Sequence, residues 1–524
     1  MSKSKTVFLS SLKMAIATFC SRILGLVREQ FIAYIFGASG MTDAFYVAFR
    51  IPNMLRDLLA EGALSSAFIP NFLEAKKGSH QSARLLLWSL FVFLFILTFL
   101  LTSVIVTNSE WIISVVAPSF KADPEKFQTT VYLTQLIAPF IIFVSIAALF
   151  MGALNSMGAF FIPALSPAFF NVSMITSMLV LPSILRESGI PIIYTLAAGV
   201  LFGGFLQAFV QLPLIFKYKL GPVLFRQGFH TQTKKVIKLL GPGLIGFAAT
   251  QVNLIVNTIL ATGTIVGAVS FLSYAFRLFQ LPVGILSVSI GNSNLVHFSN
   301  AWRNGDKEDA GEYIKGSTHL SWLFILPATI ITLTFAREIV HIIFERGKFD
   351  ELSTLMTSKA LYWYALGLPF YGLYKIFVPA FYTIEKQMIP VVASIGSILV
   401  NIVFCVALVP HYGFQVLALG TTVSVFLNSQ LLIFLFIKNT PFGFKNFYSA
   451  KIFKMISSAL ICYVAAFLIK PYFLFFKFSF IQKALYLGIG FAAMGGSYLF
   501  LLWLFGEREL VLRVVSKLKS RFKK

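Results

Sequence analysis

The sequence predicts an all-α polytopic membrane protein, and three observations carry that expectation. Of the 524 residues, 57% are hydrophobic and the mean hydropathy is +0.83, a composition outside the soluble range for this length. About 14 apolar runs of bilayer length follow one another, joined by connections too short for a sizeable soluble domain. The net charge of +23 alternates along the chain: with the N-terminus inside, 27 of the 43 Lys and Arg fall on inner segments and nine on outer loops. This is the positive-inside bias, so the basic balance has a source other than nucleic acid, and no nucleic-acid partner is expected.

The elements follow in order. The run 8–36 begins after Lys3 and Lys5. Arg22 and Arg28 interrupt its apolar stretch, and bulky Phe19 precedes Cys20 where lipoprotein processing wants a small residue, so it reads as a retained helix. The run 43–75 encloses Pro52. Runs 84–107 and 127–155 start beside Arg84 and Lys126. The run 160–185 opens at Ile162-Pro163, and 190–218 closes on a basic block (Lys217, Lys219, Arg226, Lys234, Lys235, Lys238) that an even helix count keeps inside. Then come 234–262, 266–300 with Arg277, 314–344, 353–384 with Lys375, 388–410 opening at Ile389-Pro390, 413–438, 448–470 and 480–506. The tail 507–524 sets Val511, Val514, Val515, Leu518 and Phe522 on one helical stripe among basic residues, the pattern of a helix lying on an anionic inner surface. Cys20, Cys405 and Cys462 each lie in an apolar run, which speaks against a disulfide framework.

An internal repeat organises these runs. Tyr46-Val-Ala-Phe-Arg50 returns as Tyr274-Ala-Phe-Arg277, Pro139-Phe140 as Pro369-Phe370, and Ile162-Pro163 as Ile389-Pro390; the offsets are 227, 230 and 227 residues. Each offset spans six helices, so the halves share one orientation and form parallel lobes with a cavity expected between them. The expected domains are an N-lobe, 1–220, a C-lobe, 221–440, two extra helices in 441–506, and the cytoplasmic tail 507–524.

The chemistry is concentrated in the first two runs. Arg22, Arg28, Arg50 and Arg56 stand at membrane depth with few acids near them: Glu29, Asp57, Glu61 and Asp43. A cation at that depth costs about 3 kcal/mol on the mildest scale, so it faces a wet cavity and has a partner. The cluster keeps a positive excess, and the missing partner is an anion that comes and goes. Arg22 and Arg28 point about 120° apart, so both border one wide cavity; small Ser21 and Gly25 leave room beside them. The plain alternative is fixed pairing with Glu29, Asp57 or Glu61, which accounts for one or two arginines and not for four. Pro52 frees a backbone carbonyl beside Arg50 and Asn53 and permits a kink suited to a gate. Arg277 stands alone in the second lobe, since no carboxylate occurs between Glu187 and Asp306; guanidinium is the group that grips phosphate with two parallel bonds. Its plain alternative is snorkelling to an interface.

Acids are sparse elsewhere: none occurs between Glu385 and Glu507. A proton relay at depth would have to use Glu29, Asp43, Asp57 or Glu61, and a sodium site from carbonyls, Asn401 and Thr421 is the weaker possibility. The six histidines show no metal-ligand spacing, and no phosphate-binding glycine loop is present, so no cofactor is expected and the enzyme class is disfavoured.

Specific segments carry a resemblance. Ser21-Arg22-Ile-Leu-Gly25-Leu-Val-Arg28, Phe36-Gly37-Ala38, Thr42-Asp43-Ala44-Phe45, Pro52-Asn53-Met-Leu-Arg56 and Ala60-Glu61-Gly62-Ala63 resemble the MurJ (MviN) family of lipid II flippases, as do Asn155, Pro163 with Pro167, Tyr274 to Leu278, and Gly347-Lys348-Phe349. The resemblance covers the whole chain. That family shares a superfamily with MATE exporters and polysaccharide-unit flippases. It implies transport of the lipid-linked peptidoglycan precursor to the outer leaflet of the bacterial cytoplasmic membrane. It also implies that Arg22, Arg28, Arg56 and Arg277 are the required cavity arginines, that Asp43 is an outer-side acid, and that the last two helices form a groove for the polyprenyl tail. The chain departs from the pattern at Phe276 (Asp in many members), at Asp57 (often basic), and in Gly291-Asn-Ser-Asn-Leu-Val-His297, which lacks a proline. These departures concern the local partners of Arg277 and Arg56 and leave the fold untouched.

Together these readings give the expected mechanism: alternating access, with Arg22, Arg28, Arg56 and Arg277, aided by Arg50 and Asn53, holding the diphosphate head. Asp43, Glu61, Asp57, Glu29 and Pro52 gate or couple the cycle. No cofactor is needed beyond a dependence on membrane potential or a monovalent ion. The partners are lipid II, membrane lipids and other cell-wall synthesis proteins; both termini are cytoplasmic. The alternative is a flippase for another anionic polyprenyl-linked saccharide; a multidrug exporter or a polyprenyl-phosphate enzyme stands further off, because the first wants acids in its cavity and the second needs acids or histidines clustered at one face.

Overall fold

A computed structural model describes residues 3–57, 64–223, 230–284, 288–470, 475, 479–512 and 516. Helix is the regular structure throughout these residues. The helices are α1 (Lys3–Phe36), α2 (Gly40–Arg56), α3 (Leu64–Gly78), α4 (His80–Thr107), α5 (Ser109–Val116), α6 (Pro124–Ile137), α7 (Phe140–Ser156), α8 (Phe161–Glu187), α9 (Tyr194–Phe209), α10 (Leu212–Lys217), α11 (Gln232–Thr262), α12 (Ala268–Pro282), α13 (Val288–Arg303), α14 (Lys307–Thr334), α15 (Ala336–Phe344), α16 (Glu351–Ala365), α17 (Leu368–Thr383), α18 (Met388–Tyr412), α19 (Gln415–Asn439), α20 (Ala450–Ile469) and α21 (Phe480–Leu504). Among the described residues, nine stretches are long and apolar enough to cross a membrane.

Several expected runs are divided where a backbone hydrogen bond is lost. The run 127–155 becomes α6 and α7, interrupted at Ala138-Pro139, because proline brings no N–H to the ladder. The run 190–218 breaks ahead of Pro213, and 353–384 breaks at Leu366-Gly367, ahead of Pro369. The run 314–344 yields α14 and α15; α12 and α13 lie within 266–300 on either side of 285–287, which are outside the described residues. Hydropathy is blind to such breaks because the flanking residues are equally apolar. The expected connection 108–126 contains α5 and a turn of 3-10 helix at Pro118–Ala122. On α5, Ile113 and Val116 are buried while Trp111 is exposed.

The chain forms two compact units: Met1–Ser270 with Arg346–Phe349, and Phe271–Glu345 with Asp350–Lys524. In the first unit, α3, α4 and α7 enclose a core of Phe68, Phe72, Leu86, Leu87, Leu149 and Phe150. α8 packs on both α1 and α9, and α11 packs on α2, α3, α4 and α5. In the second unit, Phe377, Phe381, Phe436, Phe442 and Phe447 form a ring cluster joining α17 and α19 to the loop before α20. Here α20 packs on α14 and α21.

Candidate functional site

On α1, Ser21, Gly25 and Arg28 fall on one stripe (i, i+4, i+7). The stripe faces α8, where Asn171 approaches so closely that a Cβ at Gly25 would sit 3.6 Å from its amide nitrogen. Asn171 ties the two helices: its amide donates to the Ser21 carbonyl at 3.1 Å, and its oxygen accepts from Arg28 Nη1 at 3.0 Å. Arg28 Nη2 donates to Glu29, whose other oxygen accepts from Tyr46 Oη on α2 at 2.6 Å. The Phe170 ring lies 5.5 Å from the guanidinium carbon. Arg28 is 7% exposed and Glu29 3% exposed. Five donors on a guanidinium exceed these partners, and the buried Arg28 Nε has no acceptor among the described residues.

The remaining charges of this region differ in setting. Arg56 donates from Nε (3.1 Å) and Nη2 (2.7 Å) to one oxygen of Asp57, and both side chains are partly solvated. Fixed pairing with the adjacent residue thus applies to Arg28 and Arg56. Arg22 is exposed on α1 and makes no hydrogen bond or ion pair among the described residues. Arg50 and Asn53 are half-buried on α2, and Pro52 is buried between them. The helix runs on through Pro52 to Arg56. Glu61 lies outside the described residues.

Asp43, in the first turn of α2, is 2% exposed and richly partnered. Its carboxylate accepts from the Gly267 N–H at 2.7 Å, the Ser270 N–H at 2.9 Å and the Ser270 hydroxyl at 2.7 Å. It therefore caps α12 from another helix, where unfilled N–H groups and the helix dipole favour an anion. Lys126 Nζ stands 3.8 Å from the same carboxylate and 3.8 Å from the Phe120 ring centroid. Beside this cap, the Lys348 N–H donates to the Tyr34 carbonyl at 2.9 Å. Gly37 (φ +67°) and Gly347 (φ +60°) take left-handed backbone there. A Cβ at Gly347 would run into Tyr34, and one at Gly37 into Lys348.

In the second unit, Arg277 is half-buried on α12. Neighbouring Phe276 stacks on Phe279 at 5.6 Å and meets Tyr364 edge-on at 5.4 Å. Lys375 is exposed on α17, with Nζ 6.0 Å from the Tyr374 ring centroid. Asn401 is fully buried and accepts from the Cys405 thiol at 3.3 Å, while the Thr421 hydroxyl donates to the Leu417 carbonyl at 2.9 Å.

The structure thus joins Arg28, Glu29 and Asn171 into one network, and Asp43, Lys126, Gly267 and Ser270 into another. Asn171, Tyr46, Lys126 and Ser270 were not among the site residues expected from the sequence. The signal for Asn171 was present: an amide in the middle of an apolar run needs a partner.

A family profile described as "Lipid II flippase MurJ" matches residues 32–486. The "Probable lipid II flippase MurJ" of Buchnera aphidicola subsp. Acyrthosiphon pisum (strain APS) is 32% identical over 504 residues, covering 95% of this chain and 97% of its own. Among solved structures, "Lipid II flippase MurJ, inward closed conformation" aligns with a TM-score of 0.77 at 27% identity, covering 95% of this chain and 99% of that one. An inward-facing multidrug resistance MATE family transporter of the MOP superfamily aligns at a TM-score of 0.65 and 11% identity, covering 80% of this chain and 94% of that one. At that identity the likeness is one of fold.

Proposed function

This chain belongs to the MurJ family of lipid II flippases, and from that premise we propose that the arginines of α1 and α2 hold the diphosphate of the lipid while its head crosses the membrane. The protein flips lipid II from the cytoplasmic to the outer leaflet for cell-wall synthesis; it is a transporter and not an enzyme. It is a multi-pass protein of the bacterial inner membrane.

The observation that carries the binding proposal is Arg28. It is a buried cation whose Nε–H lacks an acceptor, held in fixed orientation by Asn171 and Glu29. A guanidinium held at both Nη groups, with a buried Nε–H to spare, keeps a donor for a phosphate oxygen that enters when the site opens. Arg22, exposed on the same helix, adds a second positive charge, and Arg50, Asn53, Arg56 and Arg277 complete the set. The polyprenyl tail stays in lipid along α20 and α21, so only the head passes through the low-dielectric region. The cycle is alternating access between parallel lobes of six spans each, 14 spans in all, with both termini inside. Asp43 holds the outer end of α12 in one state; Glu29, Asp57, Glu61 and Pro52 tune the movement. Membrane potential drives the cycle, at about 2.3 kcal/mol per charge per 100 mV. Beyond lipid II, the partners are membrane lipids and other cell-wall synthesis proteins.

The test is outer-leaflet lipid II in cells depleted of their own flippase, read by cleavage with an external lipid II-degrading toxin. Cleavage with the parent chain and none with equally expressed Arg28→Ala supports this reading. No cleavage with a well-folded parent would redirect the function to another polyprenyl-linked saccharide.

A further inference from the structure

The helix α11 carries a polar face that the arginine mechanism leaves unused. Thr250, Gln251, Asn253, Asn257 and Thr258 fall within one arc of about 160° at 100° per residue. Val252, on the opposite side, is 50% exposed, whereas Gln251 is 6% exposed and Thr258 3%. Gln251 and Thr258 are therefore turned inward, while Asn253 and Asn257 are half-buried and Thr250 is exposed.

Amides on a membrane helix commonly bind neighbouring helices together. Here Gln251 Oε1 and Asn257 Oδ1 are buried with no donor among the described residues. Such an oxygen costs about 1–3 kcal/mol when left unmade. Orphan amide oxygens also occur at Asn71, Gln211 and Asn428, but there the amide nitrogen bonds Ala67, Ala147 or Ser394. Neither Gln251 nor Asn257 makes a side-chain hydrogen bond among the described residues, so helix glue does not explain them.

Depth supplies the second argument. α11 packs on α2, the helix of Arg50 and Asn53. Their facing ends lie near one another in the chain's geometry, because Asp43 near the start of α2 binds Gly267, five residues past the end of α11. At 1.5 Å per residue, Gln251 lies ~17 Å from the Thr262 end of α11 and Arg50 lies ~15 Å from the Gly40 end of α2. Asn257 lies ~8 Å from that end. The orphan amides thus run from the arginine level toward the Asp43 cap.

We propose that Gln251 and Asn257 form a recognition ladder for the uncharged part of the substrate head, its sugar hydroxyls, acetamido groups and peptide N–H groups. A diphosphate offers only acceptors, which suits the arginines. A sugar-peptide offers donors, which is what two amide oxygens lack. This inference rests on the flippase reading and adds the source of its selectivity: arginines take the charge, and α11 takes the neutral head.

The experiment measures binding of lipid II and of polyprenyl diphosphate without sugars to the full chain in lipid nanodiscs. The parent is compared with Gln251→Leu, Asn257→Leu, the double variant and Arg28→Ala, with thermal midpoints for each. The double variant is expected to bind lipid II about 10-fold more weakly, to bind polyprenyl diphosphate within about twofold of the parent, and to be no less heat-stable. Equal weakening toward both ligands, or a lowered midpoint with rescue of binding on cooling, assigns the amides to packing and overturns the proposal. Parental binding by the double variant, with loss by Arg28→Ala, overturns it while leaving the flippase reading intact. A parent that binds neither ligand removes that reading and this inference with it.

Discussion

Arg28 and Asp43 are both buried charges of the first unit, yet their surroundings are built differently. Asp43 receives two backbone N–H groups and a hydroxyl within 2.9 Å, with Lys126 behind them. Its charge is answered by groups that belong to the fold. Arg28 has an amide, a carboxylate and an aromatic ring on one side, and an N–H without an acceptor on the other. The first arrangement is complete and holds a helix end in place. The second leaves a buried N–H without an acceptor among the described residues, the group to which we assign the phosphate. Burial alone therefore does not mark a functional charge; the balance of donors and acceptors around it does.

Four substitutions sharpen this contrast. Arg28→Ala is expected to have the largest effect on transport, a loss of about 100-fold in toxin-accessible lipid II at equal protein level, because up to about 3 kcal/mol of charge-assisted bonding to phosphate goes with it. Its thermal midpoint should fall as well, because buried Glu29 and the Asn171 oxygen lose their partner, so transport is compared at equal folded protein. Asp43→Asn should cost stability without a transport loss of that size. The amide presents its NH2 group to a site made of donors, and a stability loss of about 2–3 kcal/mol is expected from the buried unmatched pair, read by thermal unfolding in detergent. If Asp43→Asn abolishes flipping without lowering the midpoint, the division into a structural and a ligand-binding charge fails. Gly347→Ala is next. The left-handed backbone costs about 1–2 kcal/mol in a residue with Cβ, and the added atom meets Tyr34, so the midpoint should fall while lipid II affinity holds. Asp57→Asn should be smallest, below about 1 kcal/mol, since its pair with Arg56 is partly solvated at 25% and 30% exposure. A large effect there would place Asp57 beside Arg28 in function.

Much of the first unit was legible in the sequence. Arginines inside apolar runs carry their own signal, because a charge in a membrane helix requires an explanation whatever surrounds it. Pro52 inside its helix and the short connections were equally readable. The breaks at Pro139, Gly367 and Phe335 were not placed, since hydropathy averages over the residues that decide a hydrogen-bond ladder. Neither Asn171 nor Lys126 could be assigned, because each earns its place through a partner more than 80 residues away in the chain.

The chain's composition and the spacing of its apolar runs and basic residues were enough to determine a helical membrane protein with arginines set inside apolar runs; these are local properties, fixed by the cost of leaving polar groups in hydrocarbon. Which buried charge is closed and which is open was decided only by the tertiary structure. Whether a given N–H finds an acceptor depends on which distant helix lies against it, and one sequence viewed locally contains no information about that neighbour.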